Sequence, residues 1–249
     1  MKRLLVAVLV ASTIMGTLWA GGSQEKSGYV FAADATWPPL EFIDESGRLT
    51  GFEVELVQAM GNAVGEIFTV KNIPWDTIFA GLANGAYDAV ASGVTVTEER
   101  KATMDFSNPI LNVGQVVIMR STQAAQFSSI AELNGKKVGV QIGTTGDFAL
   151  ESYPVQRRVY DDIGLAIEDM MNGNIDAVVC DSLIASDFVL ANKNYQGKMA
   201  VVGQPFTQED IAIAVKKGNA TLLDLIDKGL KALQADGSLD TLKRKWNLL

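Results

Sequence analysis

No histidine occurs in the 249 residues, and Cys180 is the single cysteine. The commonest general base, the imidazole metal ligands and any Ser-His-Asp or Cys-His nucleophile system are therefore missing. An intrachain disulfide and a thiolate zinc cluster are excluded as well. What remains is the chemistry of fixed charges, aromatic faces and free backbone N–H groups, which suits binding and release better than bond-making. Arg100, Asp34, Asp181, Trp37, Trp75 and the run Gly143-Thr144-Thr145-Gly146 are the groups whose types and settings fit it.

Arg100 sits in Thr95-Val96-Thr97-Glu98-Glu99-Arg100-Lys101, where Thr97 is placed to cap a short helix. A guanidinium near a helix N-terminus gains nothing from the helix dipole, which favours anions there. It needs an anion, and two sources are open. A ligand carboxylate would form a bidentate fork with it, whereas Glu98, Glu99 or Asp105 would make it an ordinary surface pair. Asp34 and Asp181 each end an apolar run, so each either caps the next element or accepts from an ammonium group. Gly143-Thr144-Thr145-Gly146 follows a predicted strand and opens a helix, a junction that attracts small anions such as a carboxylate. It lacks the Gly-x-Gly-x-x-Gly spacing of a dinucleotide site, and no Gly-Lys-Ser/Thr phosphate loop occurs. Trp37 precedes Pro38-Pro39, and Trp75 precedes Asp76. Each either plugs the edge of a core or offers a face for stacking, and together they would form a slot.

The elements that must position these groups alternate between strand and helix. Strands are predicted over 29–33, 89–91, 137–141, 177–180 and 211–215, where short apolar runs end at polar residues. Helical spacing covers 52–64, 77–84 with Asp76 as its cap, 162–172, 181–191, 220–234 and 239–246, and a further helix follows Gly146 to Ser152. This alternation indicates parallel α/β layers with helices on both faces. Asn84-Gly85-Ala86-Tyr87-Asp88-Ala89-Val90-Ala91-Ser92 is similar to Asn172-Gly173-Asn174-Ile175-Asp176-Ala177-Val178-Val179-Cys180. The 88-residue separation is too long for a solenoid period and fits two α/β lobes of like plan. Open α/β sheets bind ligands at strand C-terminal ends, so Ser92-Gly93 and Asp181 are expected to face one another across a cleft. No Pro/Gly/Ser-rich linker divides the chain, and residues 110–114 and 207–211 are the expected crossings. One lobe would comprise 28–111 plus 208–249, and the other 112–207.

The first twenty residues differ in kind: Met1-Lys2-Arg3, an apolar run from Leu4 to Ala11 extended less purely to Ala20, then small and polar residues. That order is expected of a secretory signal peptide, cleaved after Ala20 or Gly22, with no cysteine for a lipid anchor; an uncleaved membrane anchor is the alternative, although the stretch reaches spanning length only by counting Ser12, Thr13, Gly16 and Thr17. Cleavage removes Lys2 and Arg3 and moves the net charge from −8 to −10. The acidic balance provides no global basic field for nucleic acid.

Four segments in order carry a family resemblance: Asp34-Ala35-Thr36-Trp37-Pro38-Pro39-Leu40-Glu41-Phe42, Gly51-Phe52-Glu53-Val54-Glu55-Leu56, Thr95-Val96-Thr97-Glu98-Glu99-Arg100 and Gly139-Val140-Gln141-Ile142-Gly143-Thr144-Thr145-Gly146. Over residues 28–249 the chain resembles periplasmic solute-binding proteins for polar amino acids (family 3), the extracytoplasmic components of ABC importers. The resemblance implies a type II periplasmic-binding-protein fold, α/β with two lobes and two hinge crossings, that closes on its ligand. It implies that Trp37 and Trp75 wall the ligand side chain, although Phe or Tyr is more usual there. Arg100 would clamp the α-carboxylate, helped by Thr95 and the backbone N–H of Thr145 in the loop that also holds Thr144. Asp181 would take the α-ammonium with the Gly93 carbonyl and the Thr95 hydroxyl. Asp34 and Ser92 would read side-chain polar atoms, and Gln141 would line the second lobe. With Asp34 between two Trp faces, arginine or lysine is the first expectation, glutamine the rival, and glutamate a poor fit. The expected partners are a free amino acid and membrane permease subunits, with a monomeric chain, a periplasmic location and no cofactor. Two other readings stay open: a secreted cyclohexadienyl dehydratase-like enzyme on the same fold, with Asp34 or Glu41 as general acid, and a ligand-sensing module.

Overall fold

In the computed structural model, residues 28–249 are described; the expected signal peptide and its cleavage site lie outside them. The apolar run Tyr29–Ala33 forms a strand whose last three residues are buried. It is the second strand of a five-stranded sheet ordered Phe68–Asn72, Tyr29–Ala33, Ala89–Val90, Ala214–Lys216, Met104–Phe106. A second five-stranded sheet is ordered Gln156–Tyr160, Lys137–Gln141, Ala177–Asp181, Gln115–Arg120, Met199–Val202. The plan is the same in both. Tyr29–Ala33 and Lys137–Gln141 are parallel to both neighbours. The two strands of the internal similarity, Ala89–Val90 and Ala177–Asp181, hold the third place in their respective sheets.

Each sheet also has a strand antiparallel to both neighbours, Ala214–Lys216 in one and Gln115–Arg120 in the other, so the layers are mixed rather than wholly parallel. These are the strands by which the chain enters a sheet after crossing from the other. The crossings themselves, Leu111–Val113 and Glu209–Ile211, pair antiparallel as a short ribbon. The strand expected over 211–215 is therefore two strands. Its pairing changes at Ala212, whose N–H reaches the Val94 carbonyl, as it passes from ribbon to sheet.

The helix Phe52–Val64 buries Phe52, Leu56, Val57 and Met60 at the predicted spacing and packs on Ala220–Ala235. Side chains of this size contribute about 1.5–3 kcal/mol each when fully buried. The helix expected to begin after an Asp76 cap begins earlier, as Trp75–Asn84. Pro74 stands at its N-cap without a side-chain bond and Asp76 lies in the first turn, where the dipole favours an acid. Trp75 is thus a helical residue, buried rather than held in a loop.

Candidate functional site

Asp34, Trp37, Trp75, Ser92, Gly93, Thr95, Arg100, Gln141, Thr144, Thr145 and Asp181 line one cavity. The residues come from both sheets. Asp34, Ser92, Gly93 and Thr95 follow strands Tyr29–Ala33 and Ala89–Val90, while Gln141 and Asp181 end Lys137–Gln141 and Ala177–Asp181. All sit at strand C-terminal ends, where the edge of an open sheet leaves backbone and side chains free for a ligand.

Arg100 is the third residue of the helix Glu98–Thr103, which Thr97 caps by accepting from the Arg100 N–H at 3.1 Å. Its guanidinium is buried, not a surface pair with Glu98, Glu99 or Asp105. It donates to the Thr95 carbonyl at 2.9 Å and, across the cleft, to the Gly143 carbonyl at 3.2 Å. It also lies over the rings of Trp75 and Phe79, 5.5 and 5.1 Å from their centres. Among the described residues no carboxylate is in ion-pair contact with it. Burial lowers its proton affinity, partly offset by attraction to Asp181 and Glu209.

Asp181 holds the N-cap position of Ser182–Ser186, but its side chain makes no cap bond. It instead accepts from the Gln115 amide and the Trp37 side chain. Desolvation and then the nearby Glu209 charge push its carboxyl up to about 7. Gly146 allows this arrangement, because a Cβ there would lie 2.6 Å from Gln115 Oε1. Asp34 accepts from Thr36 Oγ1 at 3.0 Å and, across the cleft, from Gln141 Nε2 at 3.1 Å. Burial raises the Asp34 carboxyl above its usual range. Thr144 caps the helix Thr145–Leu150 by accepting from the Asp147 N–H at 3.2 Å.

Two groups that the sequence reading passed over join these walls. Gln115 starts the strand after the first crossing and donates to Thr145 Oγ1 at 3.2 Å as well as to Asp181. Glu209 begins the second crossing strand. Its Oε2 accepts from Thr95 Oγ1 at 3.0 Å and from Thr145 Oγ1 at 2.6 Å, and its Oε1 from Thr207 Oγ1 at 2.6 Å. The usable signal is position, since Gln115 directly follows the first expected crossing and Glu209 lies within the second.

Beneath the cavity lie two further acids. The Ser92 hydroxyl accepts from the Asp34 N–H at 2.9 Å and donates to Glu41 Oε1 at 2.9 Å. The Gly93 N–H donates to Glu53 Oε1 at 3.1 Å. Gly93 has φ +57°, and a Cβ there would come within 3.1 Å of Trp37 Nε1. Burial, and for Glu41 also the Glu53 charge, favours the protonated acids: Glu53 is pushed up to about 8 and Glu41 well above its usual range. A raised carboxyl contributes stability that is complete below its unfolded value and lost as pH rises through the folded one. The ligand-free protein is therefore expected to lose stability as pH rises from about 5 to 8.5. Glu53→Gln, uncharged throughout, is expected to make that loss smaller in thermal melts, with Glu41 and Asp181 carrying the remainder. An unchanged slope would contradict the buried-acid assignment.

Comparison with known proteins places this geometry. Residues 29–248 match the bacterial extracellular solute-binding proteins, family 3. The L-cystine-binding protein TcyJ of Escherichia coli (strain K12) is 33% identical over 225 residues, covering 90% of this chain and 84% of its own. ABC transporter arginine-binding protein 1 of the same strain is 30% identical over 249 residues, covering 99% of both chains. The solved structure of an ancestral arginine-binding protein bound to arginine superposes with a TM-score of 0.82 at 35% identity, covering 88% of this chain and 97% of that one. The type II fold with two lobes, expected from the resemblance, is shared with these proteins. The chain belongs to the bacterial extracellular solute-binding proteins, family 3.

Proposed function

We propose that the protein captures an L-amino acid between its lobes, outside the cytoplasm, and delivers it to the membrane subunits of an ABC importer. One observation carries this reading. Arg100 is a buried cation with no carboxylate in ion-pair contact among the described residues, and Asp181, a buried carboxylate on the other sheet, shares its cavity. A zwitterion leaving water needs a buried partner for each charge. Two of the five guanidinium N–H donors are used by carbonyls, which leaves donors for an α-carboxylate. Asp181 answers the α-ammonium. Residues 28–111 plus 208–249 act as one lobe and 112–207 as the other, with the paired crossings as the hinge. Each lobe holds one of the two charges, so both ends of the ligand are satisfied only when the lobes are together. Closure is then a population shift set by contacts available in one state. No bond is made or broken.

Arginine or lysine is the first ligand proposed, because Asp34 complements a cationic side chain between aromatic residues. Glutamine is the second, because Asp34 also accepts from an amide. A thermal-shift screen against the twenty amino acids tests the reading. At 1 mM, a ligand with a micromolar Kd stabilises by about 4 kcal/mol, or roughly 8 °C or more for a chain of this size. No shift with any of them would contradict amino-acid capture.

A further inference from the structure

Glu209 ties the two sides of the cleft together, although the resemblance gives it no role. Thr95 belongs to the first sheet's side of the cleft and Thr145 to the second, and both hydroxyls donate to Glu209 Oε2, at 3.0 and 2.6 Å. A carboxylate only accepts, so each threonine spends its single O–H proton on Glu209. Toward the cavity the two hydroxyls then offer lone pairs alone. Gln115 extends the same polarity, because its amide N–H groups are directed to Asp181, Thr145 and, at 3.4 Å, Glu209. Thr207 completes the set by donating to Glu209 Oε1.

We propose that Glu209 is a specificity-determining residue of the cleft, resting on the amino-acid reading above: by drawing the protons of Thr95 and Thr145 onto itself beside Asp181, it makes that end of the cavity a cradle of acceptors that takes only an ammonium donor. The carboxylate of the ligand is thereby directed to Arg100, and reversed binding is disfavoured. Thr95 and Thr145 side chains act on the ammonium side, while help to the carboxylate falls to the backbone. Glu209 acts through these hydroxyls and is a positioning residue for the ligand.

Calorimetric titration with L-arginine and L-glutamine across pH 5–9 tests this, using the wild type, Glu209→Gln and Glu209→Asp. The groups facing Asp181 are Glu209, Gln115, Trp37, Arg100, Cys180 and Glu41; those facing Glu209 are Thr95, Thr145, Thr207, Gln115 and Arg100. In Glu209→Gln an amide donor reaches the threonine hydroxyls and turns a proton toward the cavity. Affinity is expected to fall at least tenfold. The pH midpoint below which binding weakens is expected to move down, because Asp181 loses a neighbouring negative charge. Glu209→Asp keeps the charge but draws it back from the hydroxyls, so affinity is expected to fall three- to tenfold with the midpoint unmoved. It carries the test alone if Glu209→Gln shows no cooperative melt. A lowered affinity at every pH with an unmoved midpoint in Glu209→Gln, or wild-type affinity in a folded variant, would overturn the inference and leave amino-acid capture standing. Absence of binding of any of the twenty amino acids by the wild type would overturn both.

Discussion

Arg100→Ala is expected to lower amino-acid affinity by about 2–5 kcal/mol, roughly thirty- to a few-thousand-fold, because the ligand carboxylate is left buried and unpaired. The environment makes the upper part of that range the expected one. Asp181 and Glu209 both act on Arg100 through charge, so removing the guanidinium leaves the α-carboxylate facing two like charges. The same change removes the donor to the Gly143 carbonyl, one of the polar links between the two sides of the cleft. Arg100→Lys keeps the charge but cannot hold Thr95 and Gly143 carbonyls and fork to a carboxylate together, so an intermediate loss is expected. Calorimetric titration in each variant checks both. Near-wild-type binding in Arg100→Ala would remove the carboxylate clamp from the mechanism.

The second large effect belongs to Asp181. Asp181→Asn is expected to cost about 2–5 kcal/mol of affinity, since the α-ammonium then meets a neutral amide in a buried site. It also carries a pH signature. Desolvation holds the ligand-free carboxyl at about 7, and an incoming ammonium stabilises its ionised form. Binding therefore releases a proton at acid pH. Wild-type affinity is expected to fall about tenfold for each pH unit below that value and to level off above it. Asp181→Asn is expected to bind weakly with that slope absent. A slope that survives in Asp181→Asn would assign the titration elsewhere, with Asp34 the next raised carboxyl in the cavity.

Much of this site was legible because its residues stand where sequence patterns stop. Asp34 and Asp181 end apolar strands, and Arg100 sits in a helix whose threonine cap is visible in the sequence. The paired Asp-Ala-Val segments marked equivalent strands in the two sheets, which is why two lobes could be expected without a linker. Less was legible where partners are distant in sequence. Whether Asp181 capped its helix or faced the cavity depends on Gln115, 66 residues away. Glu209 reads as one more acid in an acidic chain until its bonds to Thr95 and Thr145, 114 and 64 residues away, are seen. Trp75 reads as a loop residue because Asp76 is a strong cap type, yet Pro74 starts the helix and the indole packs edge-on against Phe79. The antiparallel strand in each sheet is a consequence of the crossings, and periodicity carries no information on strand direction.

The most direct measurement of amino-acid capture is calorimetric titration of the wild-type protein with L-arginine and L-glutamine, each beside its decarboxylated amine. One-to-one binding of at least one amino acid, with binding of its amine at least a hundredfold weaker, is the result expected if Arg100 and Asp181 hold the two charges. No binding of either amino acid, or equal affinity for acid and amine, would contradict it.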